Sequence, residues 1–133
     1  MPITYEMLRA GRVALFTYPE KFTGGELTAT FEAYQRDVLD KTTKKVLTIS
    51  DFSAVVQLPP NILSTSMTMI RNSHPMNGQM IEVTPNPFVN KLADILRKAF
   101  PAGTMIICRT VEQALQEADR LLALETASEK PLE

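Results

Sequence analysis

A chain of 133 residues, 44% hydrophobic and 22% charged, has the length of one domain and the composition of an ordinary globular protein. Its 14 basic residues nearly balance its 15 acidic ones for a net charge of −1, so no overall field draws it toward nucleic acid or an anionic membrane. A lone Cys108 excludes an internal disulfide, no apolar run approaches the ~20 residues that span a bilayer, and Met1 to Glu6 lacks the basic region and apolar core of a signal peptide; together these predict a cytoplasmic protein.

Ile3 to Leu8 alternates, Ala10-Gly11 interrupts, and Arg12 to Tyr18 resumes an extended pattern, which predicts a β-hairpin. Thr23 with Glu26 three residues on has the spacing of a capping box, and Leu27, Phe31, Tyr34 and Val38 then share one helical face. Val46 to Ser50 is the next strand. Asn61 is placed to cap a second helix, with Ile62, Ser66, Met69 and Ile70 on one face and Leu63, Met67 and Ile70 on the adjoining one. His74-Pro75 should end it, since proline disfavours helical geometry in the residue before it.

Gly78 opens a strand over Met80 to Thr84, and Pro85-Asn86-Pro87 is a turn. Phe88, Leu92, Ile95, Leu96, Ala99 and Phe100 form an apolar stripe opposite Lys91, Asp94, Arg97 and Lys98, stopped by Pro101-Ala102-Gly103. Thr104 to Cys108 is the last strand. Thr110, with Gln113 at capping-box spacing, starts a final helix whose core face is Val111, Ala114, Leu115, Ala118, Leu121 and Leu122. Residues 125–133 have little to bury and are expected as a flexible tail behind a domain of residues 1–124.

The order β-β-α-β-α-β-α-β-α argues for an α/β fold with a mostly parallel sheet. Strands buried on both faces usually read as continuous apolar runs. Here Leu47 and Ile49 oppose Thr48 and Ser50, and Ile81 and Val83 oppose Glu82 and Thr84. The alternation predicts helices mainly on one face, with the second face meeting solvent, the first hairpin strand or a partner chain. Were both faces covered, Glu82 would need a buried partner.

The element order, the Thr-Gly-Gly-Glu-Leu opening of the first helix (Thr23 to Leu27) and the segment Val46 to Ala54 resemble the STAS superfamily, and within it divergent bacterial STAS/SEC14-like domains. The resemblance covers residues 3 to 124. It implies a single STAS-like domain, a right-handed β-α superhelix with strands in sequential order. Its best-known members, the anti-sigma-factor antagonists, carry an Asp-Ser-Ser-Gly-Leu motif whose serine is the phosphoacceptor. Here Leu58-Pro59-Pro60-Asn61-Ile62-Leu63 occupies that place, so the phospho-switch does not carry over. If phosphorylation occurs, Ser64 or Ser66 near the helix start is where it is expected.

Chemistry is sparse. His74 stands at a helix end, where a cation suits the dipole; with one His and one Cys no zinc site or nucleophile–base pair can be assembled, so no metal, cofactor or enzymatic activity is expected. Cys108 reads as a small buried hydrophobe. Asp51 and Ser53 lie at a strand's carboxyl end, where α/β sites form, and either contact a ligand or partner or close a turn on their own backbone. Gly24 and Asn61 complete the candidate binding set. The expectation is a regulatory domain that binds a protein partner, including homodimerisation through the barer sheet face. The alternative is a carrier or sensor for a small apolar or anionic, lipid-like ligand, which requires a cavity of roughly 300 Å³ or more opening near the loops after the second and third strands.

Overall fold

The computed structural model describes residues 2–84, 87–99 and 105–129. Strands β1 (Thr4–Leu8) and β2 (Val13–Thr17) form the expected hairpin, antiparallel with Tyr5 opposite Phe16 and Leu8 opposite Val13. Three successive turn residues are left-handed, with φ of 53° at Arg9, 55° at Ala10 and 83° at Gly11. Helix α1 (Gly24–Asp37) starts on a complete capping box: Thr23 Oγ1 accepts from the Glu26 amide at 3.0 Å, and the Glu26 carboxylate accepts from the Thr23 amide at 3.3 Å. Strand β3 (Val46–Asp51), helix α2 (Ile62–Arg71), strand β4 (Asn77–Val83), helix α3 (Pro87–Ala99), strand β5 (Met105–Cys108) and helix α4 (Val111–Glu129) complete the chain. The expected Pro85-Asn86 part of a turn and the Pro101-Ala102-Gly103 stop lie outside the described residues, as do the side chains of Phe88 and Ala99 and the whole of Phe100 on the α3 stripe.

The sheet runs β1-β2-β3-β4-β5 in sequential order, parallel from β2 to β5. Helices α1, α2 and α3 share one face. There Ala14, Phe16 and Val46 pack with Leu27, Tyr34 and Ile62, and Met105 packs with Leu96. The α1 residues expected inside, Leu27, Phe31, Tyr34 and Val38, all join this core.

The second face is not bare. Helix α4 lies across Val13, Leu47, Ile49, Ile81 and Val83, using all six residues expected on its core face. Those strand residues are apolar, so the helix that had no partner in sequence order finds an apolar surface ready for it. Helix α4 also runs on to Glu129, past the point where a tail is expected, and Glu125 accepts a 2.6 Å bond from Arg12 Nη2. No helix among the described residues is long and apolar enough to cross a membrane.

Candidate functional site: a cavity beneath the helices

The polar row of the strands faces inward, beneath α1, α2 and α3. Side chains alternate along a strand, so Val46, Thr48 and Ser50 share the face of Phe16, while Leu47 and Ile49 meet α4. In the parallel register Ser50 stands beside Glu82, and Thr48 beside Met80. Both Thr48 and Ser50 are buried. Polar side chains cannot fill an apolar interface, and above them the sheet and helices enclose a cavity of about 290 Å³.

Its walls are apolar. Helix α1 supplies Leu27 and Phe31, α2 supplies Ile62, Met69 and Ile70, and α3 supplies Leu92 and Leu96. Of the two adjoining α2 faces expected from periodicity, Ile62, Ser66, Met69 and Ile70 line it, and Leu63 and Met67 of the other do not. Tyr18 and Phe52, stacked at 4.3 Å between ring centroids, close the end nearest the loops after β2 and β3. Those loops are tied together by Val56 and Gln57 amides donating to Glu20 O at 2.9 and 3.2 Å. The exposed lining residues are Glu32 on α1 with Thr68, Asn72 and Ser73 at the end of α2, so the mouth lies along the α1–α2 seam rather than at those loops.

The floor carries the chemistry. Thr48 Oγ1 donates to Asn77 Oδ1 at 3.0 Å, and Asn77 Nδ2 donates to Ser73 Oγ at 3.0 Å, a polar ladder from floor to mouth. Glu82 has no such ladder. Its Oε2 is sealed from solvent and has no hydrogen-bond partner among the described residues. Burial alone pushes its carboxyl up to about 8, so it is largely neutral at neutral pH. The neighbouring Tyr18 phenol is raised by burial first and by the Glu82 charge second, with Ser50 opposing. Tyr34 approaches Thr48 without closing a hydrogen bond of good geometry, and burial pushes its phenol up to about 12. Among the described residues the lining holds no Lys, Arg or His.

The residues singled out from sequence form two separate pairs, and none of the four lines the cavity. Asp51 Oδ1 accepts from the Ser53 amide at 2.9 Å and its hydroxyl at 2.5 Å, the turn-closing arrangement. Asn61 occupies the N-cap position of α2 without capping it. Its side chain lies instead against Gly24, where an added methyl group would stand 3.1 Å from Oδ1. Ser64 is exposed and donates to Asn61 O at 3.1 Å, whereas Ser66 is half-buried in the cavity wall. His74 is held structurally: Nε2 meets Asp40 at 2.7 Å and Nδ1 accepts from the Met76 amide at 3.0 Å. Cys108 lies half-buried against α4, its thiol raised by burial and then by Glu117.

Glu82 was legible as an anomaly, a carboxylate between Ile81 and Val83 in mid-strand. What periodicity lacked was which face α4 would take. With α4 on the apolar face, the polar row had to turn inward.

The sequential sheet under three helices, with a fourth behind, defines a class. Among solved structures the chain is similar to an uncharacterized protein from the DUF3478 family with a SpoIIAA-like fold, from Shewanella loihica PV-4. The two share 10% identity and superpose with a TM-score of 0.67 over 88% of this chain and 94% of the other. The likeness is one of fold: this chain has a SpoIIAA-like α/β fold. Comparison with protein families finds no matching family, and comparison with curated proteins finds no match either.

Proposed function

We propose that this domain binds a small amphipathic molecule in the cavity between the sheet and helices α1–α3, as a carrier or sensor rather than an enzyme. The observation that carries the reading is the cavity: about 290 Å³, apolar on its walls, with polar groups confined to floor and mouth. That volume is close to the ~300 Å³ lower bound of small-molecule sites and about twice the ~150 Å³ cavity that takes up benzene in an engineered protein. Apolar burial supplies affinity, at about 25 cal/mol per Å² removed from water, and the floor fixes orientation. An anionic ligand fits poorly, since the lining offers carboxyl groups and, among the described residues, no cation.

The test is a filled cavity. Met69→Trp should occupy the space at a stability cost of about 1–3 kcal/mol. Native mass spectrometry should show adducts of small apolar alcohols on the natural protein and none on the variant. Equal adduct formation by both, with the variant folded, would sink the reading.

A protein–protein interaction domain of bacterial regulation is the second reading. It is supported by two exposed apolar side chains in the segment after β3, Val56 at 67% and Leu63 at 36% exposure. Homodimerisation through the second sheet face has no support, because α4 occupies that face.

A further inference from the structure

The cavity floor constrains the chemistry of what it holds. Glu82 lines the cavity, and its Oε2 is sealed from solvent with no hydrogen-bond partner among the described residues. A buried acceptor left unpaired costs about 1–3 kcal/mol, and more when charged. Burial raises its carboxyl, and no cation lines the cavity among the described residues. The groups that face it are Ser50 of β3, Ile107 of β5 and the Tyr18 phenol beyond β2. From α1 the only titratable lining group is Glu32, exposed at the mouth; α2 and α3 present Ser66, Met69, Leu92 and Leu96. Lys91, Asp94 and Lys98 of α3 are exposed and do not line the cavity.

The surroundings therefore suit a positive charge. A carboxyl group, Glu82, sits on the floor and a second, Glu32, at the mouth. The rings of Tyr18, Phe31 and Phe52 are among the lining, and aromatic faces attract ammonium groups. A hydrogen-bonded ion pair in a water-poor pocket is stronger than a neutral hydrogen bond. The apolar walls select an uncharged body behind that head.

We propose that the cavity is a site for lipophilic amines, with the ammonium head at Glu82 and the hydrocarbon body among α1, α2 and α3. The assignment rests on the cavity being a ligand site and adds the charge class of the ligand. Binding ionises Glu82 and releases its proton to solvent, so affinity depends on pH.

Octylamine, octan-1-ol and octanoate are near-isosteric and separate the cases by isothermal titration calorimetry near neutral pH. The expected order is octylamine roughly tenfold tighter than octan-1-ol, with octanoate weakest. Glu82→Gln should bring octylamine to the level of octan-1-ol while leaving the alcohol bound. If the alcohol binds as tightly as the amine, or Glu82→Gln preserves the preference, the amine assignment falls and the ligand reading stands. If none of the three binds, both fall. A pH series on the natural protein serves if the variant does not fold. Octylamine affinity should climb about tenfold per pH unit toward pH 8 and then level, and octan-1-ol affinity should decline above that pH. An amine affinity flat or falling over this range would overturn the assignment.

Discussion

Between Ile81 and Val83, both fully buried against α4, Glu82 turns to the opposite face, where its Oε2 meets no hydrogen-bond partner among the described residues. Its carboxyl takes up a proton on folding, because burial raises it from an ordinary 4.5 to about 8. The folded state binds more protons at this group than the unfolded state between those values, so the group's contribution to stability is full below about pH 4.5 and is lost as pH rises toward 8. Each unit of displacement is worth ~1.4 kcal/mol, a loss of a few kcal/mol across the window. Glu82→Gln should abolish that slope and raise stability at pH 8, measured as urea midpoints at several pH values. A natural protein whose midpoint rises between pH 5 and 8 would contradict the burial of this group. Asp51 and Ser53 show the converse lesson. Residues at the right end of a strand attract functional attention, yet their hydrogen bonds are spent on each other. Sequence gives residue types at a strand end but not where their hydrogen bonds go.

Helices were the most legible elements, because each carries its own signals. The capping box of Thr23 and Glu26 forms in full, and the six-residue core face of α4 packs as its period requires. At the start of α4, Thr110 Oγ1 accepts from the Gln113 amide at 3.1 Å, but the Gln113 side chain reaches the Arg109 amide, one residue earlier than a strict box. Thr23→Ala should cost about 1 kcal/mol with little change in ligand binding, a thermal-denaturation measurement. The α2 cap was less legible: Asn61 has the right chemistry and place, but its side chain turns to Gly24. Strand β4 begins earlier than its apolar residues suggest, at Asn77, whose side chain bridges Thr48 and Ser73. Beside it, Gly78 passes so close to β3 that an added methyl would lie 3.1 Å from Val46 O. Gly78→Ala should therefore force the strands apart and lower the melting temperature more than Thr23→Ala does.

The whole molecule is governed by how two apolar surfaces and one polar row are shared among four helices. Three helices cover the face that carries Thr48, Ser50 and Glu82, and the cavity lies between them and that polar row. Helix α4 packs on the other face, against Val13, Leu47, Ile49, Ile81 and Val83. Strand alternation foretold two unlike faces correctly, and the sequential sheet with them. It did not reveal which face each helix would cover, because that depends on crossovers linking distant residues. The cavity was therefore expected only as a condition of one reading, and in the structure it is the feature around which the others are arranged. An amide-resolved NMR titration with octan-1-ol, which needs no assumption about charge, tests that most directly. Saturable shifts should concentrate in β3, β4 and the inward faces of α1 and α2, with α4 silent; no saturable shifts, or shifts centred on exposed Val56 and Leu63, would overturn the cavity as the binding site.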